Sequence, residues 1–212
     1  MSGKGNAAPA ELPPMEAASA PFTDPSALAE LYATAERLAQ RTGALRAARI
    51  AGRPADEVIA DLAARFAPVG ILADVGCGRG TTTLRLAQRL RPHVLLAVDR
   101  AHTLLEVTRE RTAGAPGVRP VRADFHRLPL PDGSLDLVVA AFCLYHSPRP
   151  REVIAELARC LAPGGTAILA TKSADSYRAL DELVAASGLD PHATARPSLY
   201  ATAHSSNLST LA

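Results

Sequence analysis

One glycine-rich segment carries the residues best suited to bind a nucleoside cofactor. It reads Asp74-Val75-Gly76-Cys77-Gly78-Arg79-Gly80-Thr81 and joins a short apolar run to an amphipathic segment. Glycines at alternate positions allow a tight turn and let a ligand lie directly against the main chain. The first turn of the following helix offers unpaired N–H groups to a carboxylate. Asp99 ends the next apolar run, close to the spacing at which an acidic side chain accepts hydrogen bonds from ribose hydroxyls.

The spacing of these glycines and the acid before them distinguish between two cofactors. A dinucleotide fingerprint is G-x-G-x-x-G, whereas this segment is G-x-G-x-G. Asp74 lies two residues before the first glycine, where its charge would repel a pyrophosphate. S-adenosylmethionine has no phosphate but has an ammonium group, which Asp74 could attract directly or through a water molecule. The segment therefore favours S-adenosylmethionine over NAD(P), although glycines alone also fit a turn that binds nothing.

Two groups capable of proton transfer follow the fourth apolar run. Tyr145 and His146 lie in the sequence F-C-L-Y-H-S, at the sheet edge where open α/β folds bind ligands. A histidine at this edge can accept a proton near neutral pH, but both residues can equally shape the pocket by packing. Tyr200 and His204 are candidates for lining an acceptor pocket, and the N-terminal helix with Tyr32 is a candidate either for closing over the cofactor or for packing alone.

Alternating apolar runs and amphipathic segments predict the elements that position these residues. Strands are predicted at 71–75, 94–98, 118–122, 135–142 and 166–170, and helices at 102–112, 151–161 and 174–187. One helix is predicted after Asp24, with the apolar residues Leu28, Leu31, Ala35 and Leu38 in helical spacing. Another is predicted from Pro54, with Val58, Ile59, Leu62 and Phe66 on one face. Apolar strands alternating with helices are typical of a doubly wound parallel sheet.

The composition of the chain limits its domains and its partners. Residues 1–25 are rich in Ala and Pro and predict a disordered tail, followed by a helical cap at 26–67 and a cofactor-binding domain at 68–212. The net charge is only +2 and the arginines are interleaved with acids, so we expect no nucleic-acid partner. We also expect a cytoplasmic protein with no membrane partner, because no signal layout or long apolar run is present. Three cysteines without metal-ligand spacing predict reduced thiols and no metal site, with Cys77 and Cys143 as small neutral filler.

The glycine-rich segment is the first of five sequence blocks that identify a family. The blocks are D-V-G-C-G-R-G, A-V-D, A-D-F, L-P-L-P-D-G-S-L-D and L-A-P-G-G. In this order and spacing, the chain resembles the class I S-adenosylmethionine-dependent methyltransferases, in particular their small-molecule, methyltransferase type 11-like branch. The resemblance implies a Rossmann-like, mostly parallel sheet preceded by a helical segment.

The resemblance also implies which residues contact the methionine part of the cofactor. These residues are Asp74, Gly76, Gly78 and Gly80, with Gly76 and Gly78 beneath the ligand. Ala141 and Phe142, at the end of the fourth strand, would border the sulfonium.

A second set of residues is implied to hold the adenosine part. Asp99 would hold the ribose hydroxyls, and the Arg100 side chain would lie against the adenine. Asp124 would accept a hydrogen bond from the adenine amino group, with the Phe125 backbone beside it. Asp136 is instead expected to order the turn before its strand.

The implied reaction is in-line transfer of a methyl group to an oxygen or nitrogen atom of a small molecule, with S-adenosylhomocysteine as the product. A natural-product intermediate is the expected acceptor. Because a sulfonium methyl is already electrophilic, the protein mainly aligns the acceptor, and a base is needed only if the acceptor arrives protonated. An NAD(P)-linked oxidoreductase and a cofactor-binding protein without turnover remain as alternatives.

The C-terminal segment departs from the pattern of the family, whose sheet normally ends with an antiparallel pair of strands. Only residues 191–212 follow the last predicted helix. At roughly 3.3 Å per residue this length suffices for one strand and a loop. We expect the pair to be missing or truncated, leaving a bare edge that a homodimer or a partner protein would cover.

Overall fold

The computed structural model describes residues 23–212, so nearly all of the predicted tail lies outside the described residues. Strands and helices alternate along this part of the chain. The strands are β1 (Ile71–Val75), β2 (Val94–Asp99), β3 (Val118–Arg122), β4 (Leu135–Ala141) and β5 (Leu161–Ala170). The helices are α1 (Pro25–Leu31), α2 (Ala35–Ala47), α3 (Ala55–Ala63), α4 (Thr81–Leu90), α5 (His102–Arg111), α6 (Pro150–Cys160), α7 (Arg178–Ala186) and α8 (Leu208–Leu211).

The strands form one parallel sheet in the order β3-β2-β1-β4-β5. The chain starts at the centre, runs outward to β3 and then returns to β4 on the other side of β1. This reversal creates a crevice beyond the carboxyl ends of β1 and β4, where open α/β sheets bind ligands. The predicted doubly wound α/β fold is therefore confirmed.

Strand β4 shows why the central predicted strands are mostly apolar. Leu137 and Val139 pack on one face of the sheet with buried residues of α3 and α4. Val138 and Ala140 pack on the other face with buried residues of α6. Each fully buried Val or Leu contributes about 1.5–3 kcal/mol. Burial on both faces selects apolar residues from Leu137 to Ala140, whereas Asp136 near the start of the strand is exposed.

The two N-terminal predictions need correction. The single helix predicted after Asp24 is two helices, α1 and α2, separated at residues 32–34. In α3 the buried residues are Ile59, Ala60 and Ala63, whereas Val58, Leu62 and Phe66 of the predicted apolar face are 38–46% exposed. The small side chains of Ala60 and Ala63 let α3 pack closely against the neighbouring elements. The prediction chose the face with the larger apolar side chains and was therefore wrong.

The block L-A-P-G-G belongs to β5, which begins at Leu161, five residues before the predicted strand. Leu161 pairs with Leu135 and Thr166 with Leu137, so the intervening residues form a bulge. Helix α6 correspondingly ends at Cys160.

The segment after α7 packs back toward the sheet. Helix α7 begins at Arg178, four residues later than predicted, after Tyr177 with a left-handed φ of 74°. Within residues 187–212 the structure has turns, a 3-10 helix at Ala193–Ala195 and the short helix α8, and no strand. The Thr171 hydroxyl donates a 2.9 Å hydrogen bond to the Ala203 carbonyl, which anchors this segment beside β5. In the described part of the chain β5 pairs with β4 alone, and a partner covering its free edge stays a prediction.

None of the helices described between residues 23 and 212 has both the length and the apolar character needed to cross a membrane.

Candidate functional site

A cavity of about 1280 Å³ opens at the carboxyl edge of the sheet. It exceeds the roughly 300–1,000 Å³ that is usual for ligand pockets, which leaves room for two molecules. Most of the predicted site residues line it, namely Gly76, Gly78, Asp99, Arg100, Phe125, Ala141, Phe142, Tyr145 and His146. Tyr32, Tyr200, Cys77 and Cys143 line it as well. Asp74, Gly80, Asp124 and His204 are not among the lining residues.

The three glycines of the loop after β1 have different reasons to be glycine. A Cβ on Gly76 would overlap the Cys143 side chain, and one on Gly80 would lie 2.7 Å from a methyl group of Thr108. A Cβ on Gly78 would have Leu38 Cδ2, at 3.6 Å, as its nearest protein atom. Packing therefore explains Gly76 and Gly80, whereas the space above Gly78 is open to a ligand.

Asp99 connects this loop to the end of β2. Its Oδ2 accepts a hydrogen bond from the Gly78 N–H at 2.9 Å, and its Oδ1 accepts one from the Ala101 N–H at 2.9 Å. Burial raises the pKa of the Asp99 carboxyl, and these two N–H groups act against that rise. Each carboxylate oxygen has a second lone pair. Asp99 can therefore hold the loop and still accept hydrogen bonds from ribose hydroxyls in the cavity.

Asp74 lies beneath the loop and does not face the cavity. Its side chain is 1% exposed, and its Oδ2 accepts a 2.6 Å hydrogen bond from the Thr83 hydroxyl. Burial raises the pKa of this carboxyl to about 6. Direct contact with a cofactor ammonium, one of the two arrangements considered from the sequence, does not fit this position. Side chains alternate between the two faces of β1, and Asp74 lies on the face where Thr83 of α4 can reach it. The spacing of the glycines does not indicate this tertiary contact.

Asp124 also lies outside the cavity, which does not fit the expected contact with adenine. Its Oδ1 accepts a hydrogen bond from the His126 N–H at 2.9 Å and lies 2.7 Å from His126 Nδ1. Partial burial acts to raise the pKa of Asp124, but the hydrogen bonds from His126 lower it overall. The Asp124 carboxylate points into the local turn, and not toward the cavity, because it is hydrogen-bonded to His126 two residues later.

The other ring nitrogen of His126 contacts Ser147, so Ser147, His126 and Asp124 form a hydrogen-bonded series. His126 Nε2 lies 2.8 Å from Ser147 Oγ, which accepts a 2.9 Å hydrogen bond from the Arg149 N–H. Ser147 is completely buried, so its hydroxyl is out of reach of a substrate. The series therefore joins the turn after β3 to the segment after β4, and it is not a nucleophilic triad.

The predicted proton-transfer residues lie in a short 3-10 turn, Leu144–His146. His146 Nε2 lies 2.8 Å from the hydroxyl of Tyr32, and the two rings meet edge to face. Tyr32 thus brings the N-terminal helical segment to the wall of the cavity, and closure of that segment over the cofactor stays a prediction. Tyr145 is 3% exposed and packs against the Tyr200 ring, with centroids 4.8 Å apart. Tyr145 shapes the wall of the cavity, whereas the half-buried His146 can meet a bound molecule.

Arg79 is a cavity residue that sequence reasoning did not single out. Its Nε is buried and has no hydrogen-bond partner among residues 23–212. Arg111 lines the same region. The pKa of Arg111 is lowered mainly by its burial and further by the positive charge of Arg79. A guanidinium group whose buried Nε has no partner, beside the first turn of α4, fits a carboxylate such as that of the methionine part of S-adenosylmethionine. The signal was available, since Arg79 lies inside the G-x-G-x-G segment itself.

Lys172 and Tyr177 are two further lining residues that sequence reasoning passed over. Lys172 follows β5 and Tyr177 precedes α7, so sheet order alone brings them to this edge. Lys172 is one of only two lysines in the chain, which was the one available sign.

Comparison with known proteins identifies the domain around this cavity. Residues 73–169 match a family model described as a methyltransferase domain. Malonyl-[acyl-carrier protein] O-methyltransferase of Marinomonas sp. (strain MWYL1) is 34% identical over 106 residues, which are 50% of this chain and 39% of that protein. Demethylmenaquinone methyltransferase of Staphylococcus aureus (strain JH9) is 34% identical over 96 residues, which are 45% of this chain and 40% of that protein.

A solved structure shows the same fold. A putative methyltransferase from Bacillus halodurans C-125 aligns with a TM-score of 0.56 at 21% identity, covering 74% of this chain and 67% of that chain. The chain spans well under half the length of the two curated relatives. The expected family and its cofactor, S-adenosylmethionine, are confirmed, and the family selects this cofactor over NAD(P). Residues 73–169, just under half of the chain, thus match the methyltransferase domain expected from the sequence.

Proposed function

We propose that the protein transfers a methyl group from S-adenosylmethionine to an oxygen or nitrogen atom of a small-molecule acceptor. The observation that supports this most strongly is the pairing of Gly78 and Asp99 at the cavity wall. Gly78 leaves its backbone open to a ligand, and its N–H holds a carboxylate that can accept further hydrogen bonds. When bound, the cofactor supplies an electrophilic sulfonium methyl group.

Different lining residues bind the two ends of the cofactor, the adenosine part and the methionine part. Asp99 accepts hydrogen bonds from the ribose hydroxyls, and Arg100 and Phe125 flank the adenine. Arg79 donates to the carboxylate of the methionine part, which provides the missing partner for its Nε. Phe142 borders the reacting end, where β4 meets the cavity.

The acceptor occupies the part of the cavity beyond Phe142. Tyr145 and Tyr200 form its wall, and Tyr32 covers it from the N-terminal side. Holding the acceptor atom in line with the bond that breaks can lower the barrier by about 7–11 kcal/mol. His146 Nε2 takes the proton of a hydroxyl or ammonium acceptor by way of the Tyr32 hydroxyl, which passes its own proton to Nε2 across the 2.8 Å hydrogen bond and receives that of the acceptor.

Similarity to relatives does not select the acceptor. One relative is named for malonyl-[acyl-carrier protein] and the other for demethylmenaquinone, so related domains act on different chemistry. Our proposal of a natural-product intermediate follows from the size of the cavity and from the small-molecule branch of the family.

Two glycine variants test the cofactor site. Gly78→Ala and Gly188→Ala both place a Cβ at a positive φ, 55° and 75°, without a clash with protein atoms. Both should therefore lose a similar stability, about 1 kcal/mol. Only Gly78→Ala should weaken S-adenosylhomocysteine binding in calorimetry, by at least about tenfold, because its Cβ occupies the ligand space.

Equal affinity of the two variants for S-adenosylhomocysteine would place the cofactor elsewhere. Tight NAD binding without S-adenosylhomocysteine binding would reject the proposed activity. Transfer of a labelled methyl group to members of an acceptor panel, lost in Gly78→Ala and retained in Gly188→Ala, would complete the test.

A further inference from the structure

Aromatic side chains surround the acceptor part of the cavity. All four tyrosines of the chain line it, namely Tyr32, Tyr145, Tyr177 and Tyr200. The Tyr145 and Tyr200 rings meet at 82°, and Tyr177 lies 6.3 Å from Tyr200 between ring centroids. Rings that combine flat apolar faces with polar tips suit a planar aromatic ligand.

Lys172 places a positive charge at the same end of the cavity. Its Nζ lies 5.6 Å from the centroid of the Phe142 ring and 5.7 Å from that of Tyr177. Both distances are within cation–π range. Phe142 and Tyr177 have φ angles of 58° and 74°, a region that bulky residues rarely adopt. The backbone is therefore strained at both rings that hold the ammonium group, and such strain concentrates at ligand sites.

No carboxylate in the described part of the chain forms an ion pair with Lys172. Asp175, three residues later, pairs instead with Arg178. The acids that line the cavity are Asp56, which pairs with Arg85, and Asp99 at the end of β2. Three strand spacings separate β2 from β5, about 14 Å. The ammonium group thus lacks a counterion from residues 23–212 and lies on the side of the cavity away from the adenosine-binding residues.

We propose that Lys172 binds the carboxylate of an aromatic acceptor, which identifies the acceptor class as aromatic carboxylates. This inference rests on the proposed methyl transfer. The ammonium group donates to the carboxylate, and the acceptor ring packs against Tyr177 and Tyr200. The cofactor carboxylate is separate, because Arg79 lies on the loop after β1 on the other side of β4. Lys172 is therefore a specificity residue for the acceptor.

The test uses hydroxybenzoates and 4-hydroxycinnamate, each compared with its neutral carboxamide, on protein saturated with S-adenosylhomocysteine. Calorimetry should show that at least one carboxylate binds about tenfold or more tightly than its carboxamide. Lys172→Met should abolish that preference and Lys172→Arg should retain part of it. Arg178→Met removes an exposed positive charge six residues away that does not line the cavity, and it should leave the preference unchanged.

The outcomes separate this inference from the proposed function. If the wild type binds S-adenosylhomocysteine but binds no carboxylate of the panel, or binds carboxylates and carboxamides equally, the inference about Lys172 is wrong. It is also wrong if Lys172→Met keeps the preference, or if the variant loses S-adenosylhomocysteine affinity instead. If the wild type fails to bind S-adenosylhomocysteine, the proposed function itself is wrong.

Discussion

The buried carboxyl of Asp74 should make the protein less stable as the pH rises from 4 to 7. Burial raises its pKa from 3.8 to about 6, and the hydrogen bond from Thr83 opposes the rise. Because the folded state holds the proton more tightly, this contribution to stability is complete below pH 3.8 and is lost as the pH rises through 6. A shift from 3.8 to about 6 corresponds to about 3 kcal/mol, at about 1.4 kcal/mol per pKa unit.

Urea unfolding of wild type and Asp74→Asn across this pH range measures the effect. The free energy of unfolding of Asp74→Asn minus that of wild type should increase by about 2 kcal/mol between pH 4 and pH 7, most of the full shift. Any cost of the extra amide N–H is independent of pH and cancels in this comparison. Thr83→Val should move the midpoint of the change above pH 6, because it removes the hydrogen bond that favours the ionised form. A difference that stays constant between pH 4 and pH 7 would refute the argument.

Two other predictions concern catalysis and the start of β1. His146→Gln should lower methyl transfer by about 10²-fold or more near pH 7, with a smaller loss at pH 10 where the acceptor ionises unaided. Unchanged turnover, at unchanged S-adenosylhomocysteine affinity, would assign His146 to packing alone. Asp136→Ala should destabilise the protein by about 1–3 kcal/mol in urea, since Oδ2 accepts hydrogen bonds from the N–H groups of Gly70 and Ile71. Asp132→Ala, an exposed aspartate paired with Arg159, should cost about 1 kcal/mol or less, and similar losses in both variants would contradict this role.

The parts of the fold that follow from local pattern were predictable from the sequence. Strand β4 is apolar from Leu137 onward because both faces of the sheet bury it, and the glycine-rich loop must follow β1 because a tight turn there requires positive φ. Asp136 was expected to order a turn, but the turn is the one before the neighbouring strand β1. Sequence order does not show which strand lies beside β4.

The site was less predictable where tertiary contacts direct a side chain. Asp74 and Asp124 have the expected positions along the chain, yet Thr83 and His126 hold their carboxylates away from the cavity. Lys172 and Tyr177 are separated from the motif blocks, and only the order of the strands brings them to Phe142.

The contact between Tyr32 and His146 has a consequence for the rate of the catalytic cycle. The N-terminal segment is attached to the domain through side chains such as Tyr32, whose carbonyl also accepts a hydrogen bond from Thr103, and not through the sheet. An element attached in this way opens with a much smaller free energy than global unfolding. Because the segment lies over the cavity, we expect ligands to exchange while it is open and to react while it is closed. We therefore expect escape of S-adenosylhomocysteine, and not the chemical step, to set the turnover rate, as in other enzymes whose lids gate product release.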